Sequence, residues 1–208
     1  MSMLDLAAFR ATELTRDPFE FLVVPGFVKA EARARINADF PVVGLPGSFP
    51  LSEVRFGPEF GTLIEELRGD AMREAFEQKF GIDLRRRPTM FTVRSQCSER
   101  DGRIHTDSET KIITILIYMN PKWEEAGGRL RLLRSGTDLD DCILEIPPDE
   151  GTLLCFRRSA NSWHGHKQFV GERRVIQMNY VLNQKVVDYE QRRHRISAML
   201  KKLLRRAS

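Results

Sequence analysis

The sequence predicts a mainly β, α+β fold: a double-stranded β-helix, or jelly roll, buttressed by N-terminal helices and followed by a basic C-terminal helix. Three observations predict it. Eight short strand-like runs fall in about ninety residues from Thr89 onwards, with turn-forming residues between them. The preceding residues carry helical spacing instead. No internal repeat, low-complexity tract or Pro/Gly/Ser linker divides the chain. Its 208 residues suit one domain with a substantial core and are short for two. We read residues 1–208 as one domain: 1–88 helical support, 89–183 the β core and 184–208 the basic helix.

In chain order, Leu4 to Glu13 and Lys29 to Phe40 have helical patterns, and FLVVPGF between them is a short strand ending at a Pro-Gly turn. PVVGLPGSFP is a loop, with three prolines and two glycines in ten residues. From Thr62 to Lys79, apolar residues from Leu63 to Phe76 recur at near-helical spacing, and Gly81 stops the helix. The strand-like runs are TMFTVRSQ, GRIHTDS, KIITILIYMN, GRLRLL, DCILEI, GTLLCF, NSWHGH and RRVIQMNYVL. The chain closes on a charged amphipathic helix from Val186 to Arg206, with Ile196, Met199, Leu200, Leu203 and Leu204 on one side.

Charge and cysteines exclude several function classes. Of 33 Lys/Arg and 29 Asp/Glu, eight basic but only two acidic residues fall between Lys185 and Ser208, leaving 25 against 27 in the body. The net charge of +4 therefore belongs to the tail, and nothing in the body points to specific nucleic-acid binding. Packing against the body is the simplest role for that helix; contact with a membrane surface or a partner is the sharper one. Cys97, Cys142 and Cys155 are scattered, without a C-x-x-C, which fits a reducing cytoplasm. Neither a signal peptide nor a membrane span is visible. The oligomeric state is not legible.

The chemistry concentrates in His105 and Asp107 of RIHTDS, His164 of NSWHGH and Arg173 of GERRVIQMNYV. An H-x-D pair with a distant second histidine is the sequence form of the 2-His-1-carboxylate triad, which holds Fe(II) on one face and leaves positions open for oxygen and a co-substrate. On a strand, residues i and i+2 share a face, so His105 and Asp107 would aim at one metal. His166 shares parity with His164 and is its rival as third ligand. We prefer His164 for its nine-residue spacing to Arg173, a guanidinium suited to the far carboxylate of a keto acid. Arg174 is the competing anchor, since a one-residue slip reverses which side chain faces in. Tyr118, in parity with Thr114 and Leu116, offers a hydroxyl to the same carboxylate. Trp123 and Trp163 read as packing aromatics, Lys111 as a solvated strand-end lysine, Arg85-Arg86-Arg87 as a solvated connector, and His194 as a surface residue.

From about Thr89 to Val181 the chain resembles the Fe(II)/2-oxoglutarate-dependent dioxygenase superfamily, in its prolyl-4-hydroxylase-like branch. His105-Thr-Asp107, the run ending Tyr118-Met-Asn, Gly127-Gly128-Arg-Leu, Gly151-Thr-Leu-Leu-Cys-Phe, and His164 followed by Gly171-Glu-Arg173 carry the resemblance. It implies His105, Asp107 and His164 as catalytic iron ligands, and Arg173 with Tyr118 as binding residues for 2-oxoglutarate. It also implies O2 as co-substrate, ascorbate as an optional supporting reductant, and hydroxylation of a C–H bond with release of succinate and CO2. A prolyl or other amino-acid side chain in a peptide or protein is the favoured substrate, with small metabolites open. Two positions depart from the pattern: Gln168 stands where many relatives have proline, and no tyrosine lies near Ser95, where Arg94 is the candidate replacement. The loop from Pro41 to Arg55 and the segment from Ser98 to Arg103 are the expected substrate rim. Two other readings compete: a catalytically silent binding or scaffold module on the same fold, and a cupin-like metalloprotein that uses no keto acid. Iron-dependent succinate formation separates the first reading from both.

Overall fold

Strand parity organises the molecule. The computed structural model describes residues 2–193 and 196. It contains helices α1 (Leu6–Ala11), α2 (Ala30–Ala38), α3 (Pro58–Arg68) and α4 (Asp70–Phe80), and strands β1 (Phe21–Val24), β2 (Phe49–Pro50), β3 (Thr89–Cys97), β4 (Lys111–Tyr118), β5 (Leu130–Leu133), β6 (Cys142–Ile146), β7 (Leu153–Arg157), β8 (His164–His166) and β9 (Gly171–Val181). These strands form a six-stranded sheet, β1-β7-β4-β9-β3-β2, and a three-stranded sheet, β6-β5-β8. Every strand pairing is antiparallel. The mainly β core with helices on one side agrees with the expected architecture.

Alternation sorts the large sheet into two faces. Ile113, Ile115 and Ile117 of β4, Ile176, Met178 and Tyr180 of β9, and Phe91 and Val93 of β3 join one core with the helical residues Phe60, Leu63, Leu67 and Phe76. Leu116 and Tyr118 of β4, Val175 of β9, and Leu154 and Phe156 of β7 pack the other way, against Leu130, Leu132 and Ile146 of the small sheet. The second core fills only part of the space between the sheets, and the candidate site occupies the rest.

Three expectations change. The Thr62–Lys79 helix is two helices, because Gly69 takes an extended conformation (φ −65°, ψ 158°) that ends α3 and starts α4. The apolar spacing runs through this break, since both helices bury one stripe against the same sheet. The run GRIHTDS forms no strand: only His105 is bridged, to His164, and its neighbours are irregular. The loop from Pro41 to Pro50 ends in the two-residue strand β2, which pairs with β3 at Val93 and Thr92. Residues 184–193 are helical. The rest of the expected basic helix, with Met199, Leu200, Leu203 and Leu204, lies outside the described residues, as does His194. Among the described residues, no helix is long and apolar enough to cross a membrane.

Candidate metal and co-substrate site

The His105–His164 bridge brings the two distant segments together. His105 N–H donates to the His164 carbonyl at 3.0 Å, and His164 N–H returns the bond to His105 at 3.0 Å. One ligand atom from each of His105, Asp107 and His164 lies within 4.8 Å of the others. His164 and Asp107 are buried, while His105 stands at the mouth.

Each imidazole is oriented by a backbone carbonyl. His105 Nδ1 lies 2.8 Å from the Arg103 carbonyl oxygen and His164 Nδ1 lies 3.0 Å from that of Ser162. A carbonyl only accepts, so Nδ1 carries the proton in both rings and Nε2 keeps its lone pair for a metal. Burial lowers the His164 pKa to about 4, against an opposing pull from Asp107, so the ring is neutral at neutral pH.

Asp107 sits in a short polar chain. Its Oδ1 accepts from Lys111 Nζ at 2.7 Å, and its Oδ2 accepts a short bond from Thr114 Oγ1, which in turn accepts from Asn179 Nδ2 at 2.8 Å. Burial alone pushes the Asp107 carboxyl up; the charge of Lys111, with the hydrogen bonds from Lys111 and Thr114, holds it below the usual carboxylate value. Lys111 is therefore a partner of the carboxylate rather than a solvated strand end. Its role was hidden because the i,i+4 relation to Asp107 spans an irregular turn. Thr114 and Asn179 share parity with Tyr118 and Arg173 respectively, and that parity was the available signal for them.

Arg173 is on the inner face of β9 and 4% exposed. Its Nε donates to the Gly128 carbonyl at 2.7 Å, and its guanidinium carbon lies 5.3 Å from the centre of the Tyr118 ring. Gly128 reaches this position at φ +75°, where a side chain would also press on Trp123 and Phe169. The Arg173 Nη2 atom and the Tyr118 hydroxyl are both buried without a hydrogen-bond partner. Burial raises the Tyr118 phenol to about 12, despite the opposing effect of Arg173, so it is neutral and able to donate. A buried guanidinium with an open donor beside an open hydroxyl is costly to leave unpaired, and a carboxylate satisfies both. Arg174 points the other way: it pairs with Glu172 at 2.5 Å and donates to the Asn37 carbonyl at 3.1 Å.

His105, Asp107, Thr114, His164 and Arg173 line one cavity of about 150 Å³, with Leu116, Leu130 and Val175 as apolar wall and Arg94 and His166 also facing it. A void near this size holds a small ring molecule, so a five-carbon diacid is of suitable scale. At its His105–Asp107 end the cavity opens into a polar groove that shares Ser48, Thr92 and Gln177 with it. The expected rim segments contribute Ser48 and Gly102. Tyr189 and Arg193 from residues 184–193 also wall the groove, and no sequence pattern indicated that this helix folds back there. Trp123 donates from Nε1 to Gly127 at 2.9 Å and packs on Phe169, a structural role.

Residues 94–181 match the 2OG-Fe(II) oxygenase superfamily. The fold is similar to an oxidoreductase of the 2OG-Fe(II) oxygenase family from Burkholderia pseudomallei (TM-score 0.54, 15% identity, 85% of this chain and 90% of that one). It is also similar to a prolyl-4-hydroxylase from Pseudomonas putida (0.52, 17%, 78% and 92%) and to the viral collagen prolyl hydroxylase from Paramecium Bursaria Chlorella virus-1 (0.50, 15%, 78% and 96%). No curated protein matches the chain. The family supplies Fe(II) as cofactor with 2-oxoglutarate and O2 as co-substrates, and the His-Asp-His group is a donor set suited to that iron.

Proposed function

We propose that this chain, a 2OG-Fe(II) oxygenase by its matched core, is a hydroxylase in which His105, Asp107 and His164 hold the iron and Arg173 with Tyr118 anchors the far carboxylate of 2-oxoglutarate. One observation carries the reading. The His-Asp-His group and a buried arginine with an unpartnered donor face the same small cavity. Bound iron with O2 and the keto acid supplies the oxidising power for C–H hydroxylation, with succinate and CO2 as co-products.

The protein's own residues bind and orient. The carbonyls of Arg103 and Ser162 fix the two imidazoles, and Lys111 with Thr114 fixes the carboxylate. Leu116, Leu130 and Val175 limit water around the keto acid. The groove walled by Thr92, Gln177 and Tyr189 is the substrate side. Because the fold neighbours include prolyl hydroxylases, a prolyl or other amino-acid side chain is the substrate class we favour.

The test is anaerobic loading with Fe(II) and 2-oxoglutarate, followed by admission of O2, beside Asp107→Ala and Arg173→Ala. The reading expects a metal-to-keto-acid absorption band and slow succinate release in the wild type, both lost in Asp107→Ala and strongly weakened in Arg173→Ala. Metal binding without any effect of the keto acid would favour the cupin-like reading. Absence of metal binding would leave the scaffold reading.

A further inference from the structure

A second guanidinium faces the cavity that holds Arg173. Arg94 lies on β3 directly opposite Val175 of β9, and Val175 shares its face with Arg173 two residues earlier. The two arginines are thus diagonal neighbours on one buried surface. Between Arg94 and Gln96 the β3–β9 ladder slips register, a bulge of the kind that re-aims side chains beside sites. His166 lines the same cavity as both arginines.

Two like charges on one desolvated wall repel unless anions offset them. The protein provides one. Asp101 Oδ1 lies 2.5 Å from Arg94 Nη1, and Asp101 Oδ2 accepts from Ser98 N at 2.7 Å and Ser98 Oγ at 3.0 Å. The other contacts of Arg94 are long: Nη1 to Cys97 Sγ at 3.6 Å and Nη2 to Ser48 Oγ at 3.4 Å. Five donors on a guanidinium and one close carboxylate leave donors for a further acceptor. Arg173, in turn, keeps its Nη2 unpartnered. Two guanidiniums therefore face one cavity, with Asp101 offsetting one charge and an Arg173 donor open, and together they suit a bound anion.

We propose that Arg94 is a second cationic contact for the bound keto acid, complementing Arg173, with Asp101 as its partial counter-ion. The inference rests on the functional reading above and assigns a residue to the same site.

The test is the dissociation constant of 2-oxoglutarate for the anaerobic Fe(II) protein, read from the absorption band without turnover. Arg94→Gln and Arg94→Met are two neutral replacements, so that one carries the test if the other does not fold. Either is expected to raise the constant roughly tenfold to a hundredfold, the size of a lost hydrogen bond to a charged group. Asp101→Asn removes the competing anion and is expected to leave the constant unchanged or lower it. A rise of less than about threefold in the folded Arg94 variants overturns the proposal, whatever anion Arg94 then serves. Equal weakening in Arg94→Gln and Asp101→Asn also overturns it, because the pair would then only hold the turn at Ser98. A wild-type protein with no band overturns the functional reading, and this inference with it; a normal wild-type band separates the two failures.

Discussion

Thr114 and Ile115 are adjacent on β4, yet they serve opposite faces of one sheet. Ile115 belongs to the apolar core under the helices and is fully buried, with Ile113 and Ile117 beside it. Thr114 is also almost fully buried, but its hydroxyl links Asn179 to Asp107. The helix-facing side gains stability from close apolar packing and carries almost no polar group. The inner side gives up part of that packing to hold charged and hydrogen-bonding groups out of water. One strand thus divides its residues, by parity alone, between stability and chemistry.

Substitutions on the two faces should separate these roles. The largest effect is expected at Asp107→Ala, which should abolish the iron-dependent keto-acid band and succinate formation while the melting transition remains cooperative. Loss of cooperative melting would show that the polar face also holds the fold together. Next is Ile115→Ala, which should cost about 2–5 kcal/mol of stability in chemical denaturation, with the 2-oxoglutarate affinity of the folded protein unchanged. A coupled loss of affinity would mean that the faces are not independent. Thr114→Val keeps shape and removes the hydroxyl from Asp107, so Fe(II) affinity should fall about 10–100-fold. Its melting temperature should move far less than that of Ile115→Ala. The smallest effect is expected outside both faces: Arg35 and Glu59 pair at 3.1 Å with both side chains well exposed. Arg35→Ala should shift melting by less than about 2 °C and leave iron affinity untouched.

This division is largely legible in the sequence. Alternation in KIITILIYMN and RRVIQMNYVL placed Tyr118 with Thr114 and Arg173 with Val175, and the structure keeps those parities. Turn residues such as Gly127-Gly128 and Pro147-Pro148 separate the core strands as expected. What failed had local causes. RIHTDS looked like a strand because its residues alternate, but its hydrogen bonds go to a single bridge and to side chains. The break at Gly69 was masked because both helices continue one apolar stripe. Neither the Arg94–Asp101 pair nor the groove wall from residues 184–193 has a sequence period, since each depends on segments meeting only in the folded chain.

The bridge between His105 and His164 has a thermodynamic consequence. Asp107 and His164 stand 57 positions apart in the chain, so a cation bound by both acts as a removable cross-link closing a long loop. A ligand that binds the native state alone raises stability with the logarithm of its free concentration, by about 4 kcal/mol at a thousandfold excess over its dissociation constant. Under anaerobic conditions the unfolding midpoint should climb with added Fe(II) and fall back on chelation. Resistance to heat would then serve as a gauge of how much metal the protein carries.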